Sequence, residues 1–595
     1  MPVEVVEALD AAARAHGPDP RIRRPLARGR LRRPSLSGVM AVVLGLLLVV
    51  PIGAFLLVAI SPHLFAQGSS WLTLTPLREA LSGGSLVALR NTAVIGVGSA
   101  ALALACGLPL ALLVHRTNLI GRGLWTLLIW ALLLAPTYLV ALGWERLFEP
   151  GGVLVRAGIN PSAIHGLLYG PVGVTLVLGV KGVPFAFLAI SAALPGLGSS
   201  FEQAARTHGA GRLAALRVVI PILAPALWTA VAIVFAESIS DFGVASTLAF
   251  DAHFPIATFS LFNAVDNEPV QFALAAAIGV TLVALAAVAL VAQRRALRGR
   301  SYQVLSGRTR PHARHHLSRA GHAGALAGVV AFFAIALGVP VVGAVSASLL
   351  KNLGTTLYGF SLTLENYRRV LTNGDLYTPL LYSLRLAVIV STIVLALAVP
   401  VARLLTRKTQ GIAARTLDLV LLGAVALPSI VLAAGYILIY NLPAMHSIGI
   451  ALYGTTALLG LGYVAGALPN NARILIGPLA QLQDSLIDSA RTHGAGTPTA
   501  WRRVALPMLS RYGLWVWLYC FAGTLLELPI SQLLYPPGSY PLSVAIERRL
   551  AGYDFAGGTA MEVVAVLGAL LVTGAVLGLF RVLAPEGWRR VGAST

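Results

Sequence analysis

Twelve stretches of about 20 or more mostly apolar residues run along this chain, and each is long enough to cross a bilayer as a helix. The whole chain is 57% hydrophobic and only 11% charged, whereas soluble proteins are about 45–50% apolar. A soluble globular protein is therefore excluded. We predict an all-α integral membrane protein with about 12 transmembrane helices. The predicted spans cover about residues 39–60, 91–114, 123–144, 170–194, 222–250, 270–292, 323–350, 382–404, 416–440, 453–476, 512–534 and 560–583.

Arginine is concentrated in particular segments between these spans. Eight arginines lie in the tail 1–38 and eight in the segment 293–322, whereas the loop 251–269 is acidic. Cytoplasmic loops of membrane proteins carry an excess of Lys and Arg, so we predict that both termini and the segment 293–322 are cytoplasmic. The net charge of +21 is then a topology signal that also favours anionic lipid, and we expect no nucleic-acid partner.

A short segment between apolar stretches occurs twice in the chain. Residues 203–211 read QAARTHGAG and residues 488–496 read DSARTHGAG, at an offset of 285. Each copy leads through Arg-rich sequence to a proline, Pro221 or Pro507. Both copies fall on the predicted cytoplasmic side, which suggests one docking element presented twice.

The repeat extends over nearly the whole chain. Equivalent positions are separated by six spans, an even number, so the halves have the same orientation and form a parallel repeat of two six-helix domains. Arg, His, Gly and Ser between the halves predict a linker without packed structure. The matched prolines are Pro51 and Pro340, Pro109 and Pro400, Pro136 and Pro428, and Pro184 and Pro469. The predicted divisions are a tail at 1–38, a first domain at 39–292, a linker at 293–322, a second domain at 323–583 and a tail at 584–595.

The residue types in the repeated segment suit a short helix that lies in a groove. Small side chains give a flat face, and Gly209 and Gly494 allow the positive φ of a helix end. Arg206 and Arg491 add one fixed cation to each copy. His208 and His493 have no second ligand nearby in sequence, so we expect no metal site.

Two acidic residues fall at equivalent positions inside predicted spans. Asp241 and Glu527 are 286 residues apart, as are Pro221 and Pro507, and Glu237 lies one turn before Asp241. An acid deep in a span costs about 2.5–3.5 kcal/mol on insertion scales, so it should face the protein interior or water. These carboxylates either line a translocation path or satisfy broken backbone beside Pro529. Lys181 in the fourth span is a possible counter-ion.

Catalytic chemistry is not indicated by any motif. The three lysines, Lys181, Lys351 and Lys408, do not follow a G-x-x-x-x-G phosphate loop, and no Ser/His/Asp or Cys/His arrangement stands out. We therefore expect a transport subunit without its own ATPase site, without catalytic residues and without a cofactor. Energy must come from another subunit or from an ion gradient.

The doubled segment resembles the coupling loop of permeases from ATP-binding-cassette importers, and the chain resembles a fused, two-domain permease of that class. The loop motif is E-A-A, three residues, Gly, then a variable stretch to Pro. Here Gly494 and Pro507 are thirteen apart and Gly209 and Pro221 twelve apart, and the motif Glu is Gln203 or Asp488. The resemblance assigns the coupling role to these residues: Gln203, Ala204, Ala205, Arg206 and Gly209 in the first copy, and Asp488, Ser489, Ala490, Arg491 and Gly494 in the second.

The resemblance also implies partners and a location. It implies two copies of an ATP-binding subunit at the cytoplasmic loops, an extracytoplasmic substrate-binding protein, and the bacterial inner membrane. Residues 527–538, which read ELPISQLLYPPG, and Ser240-Asp241-Phe242-Gly243 resemble segments of ferric-iron importer permeases. Permeases for phosphonate, thiamine, sulfate or polyamine are related alternatives. An ion-coupled secondary transporter or a passive channel would not need duplicated coupling loops.

Overall fold

The described part of the chain is helical throughout. A computed structural model describes residues 36–194, 207, 209, 220–298, 315–351, 361–406, 412–425, 427–482 and 484–583. Within these ranges the only β-structure is two isolated bridges, Thr117 with His315 and Leu350 with Leu362. The predicted all-α membrane fold is confirmed.

Eight of the described helices are long and apolar enough to cross a membrane, and two bent helix pairs raise the possible number to ten. The predicted total of twelve is not confirmed, because the helices at the tenth and eleventh predicted segments are not in this set. Both helices carry polar residues, among them Asn470, Asn471 and Arg473 in the tenth and Arg511 in the eleventh.

The described helices of the first half run from Leu36 to Leu297, so the last of them continues into the Arg-rich segment. The N-terminal span contains a π-helical turn at Gly45–Val49. The α-helices are α1 Leu36–Leu44, α2 Val50–Val58, α3 Thr75–Ala80, α4 Gly83–Arg116, α5 Arg122–Leu134, α6 Thr137–Phe148, α7 Val153–Arg156, α8 Ser162–Leu168, α9 Pro171–Ala193, α10 Ala224–Ser240, α11 Gly243–Ser246, α12 Leu248–Asp251, α13 Ala257–Asp266 and α14 Phe272–Leu297.

Helices of the second half follow the same order. A π-helical turn at Ala334–Gly338 again interrupts the first span, and another lies at Trp501–Ala505. The α-helices are α15 Arg319–Phe333, α16 Val339–Leu349, α17 Glu365–Thr372, α18 Gly374–Leu405, α19 Ile412–Val425, α20 Ser429–Tyr440, α21 Pro443–Ser447, α22 Thr456–Gln481, α23 Asp484–Thr492, α24 Thr497–Ala500, α25 Leu506–Leu525, α26 Pro529–Leu534, α27 Leu542–Ala551 and α28 Phe555–Leu583.

Repeated prolines break the third predicted span of each half. The helix pair around Pro136 is bent by 98° and the pair around Pro428 by 108°. Proline removes a backbone donor and clashes with the preceding turn, so a sharp bend at this residue is expected. The fifth and eleventh predicted segments are also interrupted, between α10 and α11 and between α25 and α26. The sequence indicated interrupted backbone at these prolines, and the structure adds where each helix breaks and by how much it bends.

The two halves pack against each other at two places, where the bent third span of one half crosses the first span of the other. At the first crossing, a Cβ atom added to Gly143 of α6 would lie 2.4 Å from the carbonyl oxygen of Pro340 in α16. At the second crossing, a Cβ added to Gly435 of α20 would lie 2.4 Å from the carbonyl oxygen of Pro51 in α2. Small residues let membrane helices approach this closely. The equivalent contacts support the pseudo-two-fold repeat.

A buried hydrogen bond is also repeated between the halves. The hydroxyl of Thr92 in α4 accepts from the backbone N–H of Ala257 at 2.9 Å. The hydroxyl of Ser383 in α18 accepts from the backbone N–H of Leu542 at 2.8 Å. These bonds hold the first residue of α13 and of α27 against the second long helix of each half.

The expectation of an unpacked linker at 293–322 is corrected at its two described ends, while residues 299–314 lie outside the described residues. Helix α14 continues to Leu297, and the Gln293 amide donates to the Thr229 hydroxyl at 2.9 Å. Near the other end, His315 and Arg116 form a backbone hydrogen bond of 2.8 Å, and Leu317 N–H donates to the Asn118 side chain at 3.0 Å. The loop after α4 and the linker therefore lie on the same face of the molecule.

Candidate functional site

A polar cavity lies where the broken helices of the two halves meet. This central cavity has a volume of about 250 Å³. The lining from the first half comes from the bend at Pro136 and the break after α10, and that from the second half from the bend at Pro428 and the break after α25. Asp241, Glu527 and Glu237 all line it, so the structure brings together the three predicted acids.

Asp241 combines exposure to the cavity with a backbone contact. Its carboxylate accepts a hydrogen bond of 2.7 Å from the N–H of Val244, in the first turn of α11. Its own carbonyl oxygen accepts from the Thr258 hydroxyl at 2.7 Å. The side chain therefore satisfies the interrupted backbone and also presents charge to the cavity.

Glu527 does the same at the equivalent position. Its carboxylate accepts hydrogen bonds from the N–H of Ile530, at 2.9 and 3.1 Å, and from the N–H of Ser531 at 3.0 Å. The Tyr463 hydroxyl lies 2.6 Å from the Ser531 hydroxyl and extends this network into α22. In both halves the acceptor contacts an amide three residues later, so the repeat preserves the contact and not only the charge.

Glu237 differs from the other two acids. It lies on the last turns of α10, its side chain is exposed to the cavity, and the position is Gly523 in the second half. No hydrogen bond or ion pair of Glu237 is found within the described part of the chain. Of the three acids, Glu237 is therefore the one whose carboxylate contributes no described contact to the fold.

Lys181 is not part of the cavity lining. Its ammonium donates to the carbonyl oxygens of Leu132, at 2.6 Å, Leu133, at 3.4 Å, and Ala135. A cation at the carbonyl end of a helix is favourable, and here it satisfies the end of α5 where the chain bends. The sequence left open whether Lys181 neutralises an acid; its described hydrogen bonds go to backbone carbonyls, and Asp241 and Glu237 lie near enough to interact with its charge.

Thr137, Ser429 and Asn470 also line the central cavity, and the sequence analysis did not identify them. Thr137 and Ser429 directly follow the repeated prolines Pro136 and Pro428. That repeat was the available signal, since a residue just after a helix break is placed to face a cavity. Asn470 has no polar counterpart in the first half, so only its place in an apolar segment could have indicated it.

The second copy of the repeated segment forms a short surface helix, α23. Its C-terminus is a Schellman motif, in which Ala495 N–H donates to Ala490 O at 3.1 Å and Gly494 N–H donates to Arg491 O at 3.0 Å. Gly494 has φ +86°, as this motif requires. The predicted need for glycine at this helix end is therefore confirmed for Gly494.

One face of α23 is buried and the other is free. Ile487 and Ala490 pack against Ala500 and Ala505, which fixes the helix to the start of the following span. The exposed side presents Asp488, whose carboxylate lies 3.6 Å from the guanidinium of Arg491, together with Ser489. His493 is exposed and contacts the Ser489 carbonyl oxygen at 2.8 Å.

The first copy is described only in part. Gln203, Ala204, Ala205, Arg206 and His208 lie outside the described residues. Gly209 is described and has φ +81°, close to the value of Gly494. The two repeated glycines therefore share one backbone conformation, which confirms the prediction of positive φ in both copies.

Comparison with known proteins agrees with this architecture. Residues 103–297 match the family described as the binding-protein-dependent transport system inner membrane component. The chain is 26% identical over 433 residues to a probable ATP-binding-cassette transporter permease, y4fN, of Sinorhizobium fredii, covering 72% of this chain and 75% of the relative. The resemblance to the permeases of these transporters is thereby confirmed.

Two further relatives have transport systems in their names. The chain is 25% identical over 429 residues to the ferric transport system permease protein FbpB of Actinobacillus pleuropneumoniae, covering 70% of this chain and 59% of the relative. It is 29% identical over 183 residues to the sulfate transport system permease protein CysT of Salmonella typhimurium, covering 30% of this chain and 64% of the relative. The aligned region thus spans less than two thirds of each of these two relatives.

Proposed function

We propose that this chain, whose residues 103–297 match the binding-protein-dependent transport family, supplies both halves of the membrane pathway of an importer. Two ATP-binding subunits drive it from the cytoplasmic face, and an extracytoplasmic binding protein delivers the substrate. The observation that carries the proposal is the central cavity, which draws its lining from equivalent helix breaks of both halves.

We assign the coupling of ATP hydrolysis to α23 and to the equivalent first copy at 203–211. The exposed side of α23 carries Asp488, Ser489 and Arg491 together with the apolar Leu486, and its other side is fixed to the protein through Ile487. Motion of a docked subunit would therefore pass directly to the adjoining span.

Glycine substitution tests this assignment. The Gly494→Val variant forces a β-branched residue into φ +86° and should abolish substrate-stimulated ATPase activity and uptake while the protein still inserts. Gly496→Val is the matched control, since Gly496 has no positive φ and an added Cβ would meet only the Pro498 ring at 3.9 Å. Normal uptake by Gly494→Val would contradict the assignment.

For the cargo we propose a cation or metal-bearing substrate, with ferric iron as the first candidate. Three carboxylates line the central cavity, and no Lys or Arg is among its described lining residues. Lys181 lies close enough to interact with Asp241 and Glu237, but one cation beside three ionised carboxylates leaves excess negative charge, which repels an anion such as sulfate and attracts a cation. Among the named relatives, this electrostatic argument favours the ferric permease over the sulfate permease.

Charge removal without loss of the hydrogen-bond acceptors tests the role of the acids. Asp241→Asn and Glu527→Gln keep an amide oxygen that can still accept from the amides of α11 and α26. The double variant should keep its melting temperature and lose iron uptake in proteoliposomes that contain the ATPase and binding protein. Unchanged uptake would make these acids structural, and a lower melting temperature would show that the backbone contacts need the charge.

Glu237→Gln completes this set, because no described hydrogen bond depends on that carboxylate. We expect a lower uptake rate with unchanged thermal stability.

Uptake driven by an ion gradient in liposomes without any ATPase would support a secondary transporter and overturn the proposed function.

The proposed orientation places both termini and the linker in the cytoplasm. In a cysteine-free background, Ser306→Cys should resist an impermeant thiol reagent in intact cells and react after permeabilisation. Efficient labelling in intact cells would reverse the orientation and place α23 on the wrong face.

A further inference from the structure

Two equivalent short helices, α13 and α27, lie on the face opposite to the linker. Helix α14 starts at Phe272, a few residues after α13, and ends at Leu297, within the linker. Helix α28 follows α27 in the same way. We call this face the far face; under the proposed orientation it is extracytoplasmic. The repeated hydrogen bonds from Thr92 and Ser383 anchor both helices alike.

The two helices carry opposite charge at their C-terminal ends. Helix α13 ends at Asp266, and Glu268 follows two residues later; both side chains are exposed. Neither forms an ion pair within the described ranges. Helix α27 instead carries Arg548 and Arg549 in its last turn. The backbone repeat is preserved here while the charge is reversed.

Three arginines beside the end of α27, namely Arg369, Arg548 and Arg549, face two carboxylates, Asp554 and Glu547. Asp554 is shared by Arg369, at 3.3 Å, and Arg549, at 3.8 Å. Arg548 is exposed, stacks over the Tyr540 ring at 4.3 Å, and forms no ion pair within the described residues. Glu547 beside it accepts a hydrogen bond from the Gln532 amide at 2.9 Å. Arg548 therefore remains available to an incoming carboxylate.

A pocket opens next to these arginines. It has a volume of about 650 Å³ and lies between the start of α18 and the last turn of α27. Arg548, Arg549 and Tyr540 form one wall, and Asp375 stands in the lining contributed by α18. A protruding acidic side chain can reach Arg548 there, while Asp375 can accept from a neighbouring donor.

From this polarity we propose that α13 and α27 form a two-pole docking surface for the substrate-binding protein. One lobe places an acidic group against Arg548, and the other places a basic group against Asp266 and Glu268. Complementary potentials steer encounter and suppress wrong orientations. The opposite poles thus admit the partner in one of two otherwise equivalent orientations. This inference rests on the proposed function, because it needs a binding protein on the far face.

The test measures binding of a substrate-loaded binding protein that co-purifies with this transporter. The full transporter is held in lipid nanodiscs, and association and dissociation rates are recorded at several salt concentrations. Arg548→Glu and Asp266→Lys should each slow association about tenfold or more at low salt, because steering of this kind is electrostatic and is screened by salt.

A double swap separates polarity from total charge. Asp266→Lys with Arg548→Glu leaves the net charge of the far face unchanged, yet we expect it to bind more weakly than either single variant. The matched control is Arg368→Glu, which makes the same charge change on the far face at a residue paired with Glu365 at 3.5 Å and outside the pocket lining. Basal ATPase activity and melting temperature should stay unchanged in all four variants.

The outcomes separate the two levels of the proposal. If the wild-type transporter binds the protein and the double swap binds equally well, the two-pole surface is wrong and the importer function stands. If Arg368→Glu weakens binding as much as Arg548→Glu, general surface charge and not the pocket is responsible, and the inference also fails. If the wild-type transporter does not bind the binding protein, the proposed importer function is itself wrong.

Discussion

The first crossing, α6 against α16, and the second crossing, α20 against α2, share a backbone geometry but differ in chemistry. In both, a glycine on the bent third span touches the carbonyl of a proline in the first span of the other half. At the second crossing Gly435 is followed by Tyr436, whose hydroxyl donates to Leu47 O at 3.0 Å, and then by Ile437 and Leu438, which are apolar and buried. At the first crossing the matching positions are Glu145 and Arg146, also buried.

Charges at the first crossing extend across the halves. Arg146 forms ion pairs with Glu145, at 3.5 Å, and Glu149, at 2.5 Å, and its guanidinium lies 4.3 Å from the centre of the Phe555 ring in α28. Glu562 of α28 is 5% exposed, and its equivalent in α14 is Gly279, which faces Val431 and Phe55. One crossing is thus ionic and the other apolar.

This difference shows which feature of the interface the repeat preserves. Close helix approach is kept twice, so it is the shared requirement of the fold. The ionic groups occur once, and buried charges contribute little net stability relative to apolar packing. We infer that the first crossing gains pairing specificity between unlike halves, because Arg146 is attracted to Glu562, whose counterpart in the first half is Gly279.

The largest expected effect comes from blocking the close approach itself. Gly143→Leu and Gly435→Leu each drive a side chain into the backbone of the opposing helix, where a Cβ alone would lie 2.4 Å from an oxygen. We expect both variants to lose folded protein in size-exclusion chromatography after detergent extraction. Gly423→Leu is the control, because a Cβ there meets nothing within 4 Å. Tolerance at only one crossing would show that the shared geometry is not a shared requirement.

A smaller effect should separate the two crossings. Arg146→Met removes the only described cation that pairs with Glu145 and Glu149, and breaking a buried pair on one side costs about 3–5 kcal/mol. The equivalent Leu438→Met conserves volume and should cost under about 1.5 kcal/mol. Melting temperatures in the same detergent compare them directly.

A compensating variant checks the cause of that difference. Adding Glu145→Gln and Glu149→Gln to Arg146→Met should recover part of the lost stability, since the unpaired carboxylates are then neutral. No recovery would attribute the loss to the packing of Arg146 on Phe555 instead.

Much of the architecture could be predicted from the sequence, because apolar length and repeated prolines report membrane helices and symmetry directly. The bends at Pro136 and Pro428 are 98° and 108°, and the prolines indicated only that the backbone was interrupted. Positive φ at Gly209 and Gly494 followed from one residue type at one place in a motif. These features depend on residues that are close together in the chain, so they can be recognised in a single sequence.

Contacts between distant segments could not be read in the same way. Asp241 and Glu527 were recognised as equivalent, yet their dual role at the cavity and at first-turn amides depends on how two helix breaks are placed in space. Lys181 bonds to carbonyls of α5, about fifty residues earlier in the chain. The ionic first crossing was missed, because Glu145 and Arg146 fall at the end of a predicted span and look like an ordinary membrane boundary.

The smallest predicted effect concerns a hydrogen bond that is the same in both halves. It serves as a reference for the difference in stability between the two crossings. Thr92→Val and Ser383→Ala each leave a buried N–H, of Ala257 or Leu542, without its acceptor. An unsatisfied buried donor costs about 1–3 kcal/mol, and we expect the two variants to agree within about 0.5 kcal/mol, the usual limit of additivity for independent sites. Thr392→Val on the exposed side of α18 is the control, because its hydroxyl donates to Val388 O and accepts from the Trp517 indole at 3.2 Å, at the surface. If melting temperatures show unequal losses at Thr92 and Ser383, the halves differ in stability throughout, and the contrast between the crossings would then reflect that general difference and not the buried charges.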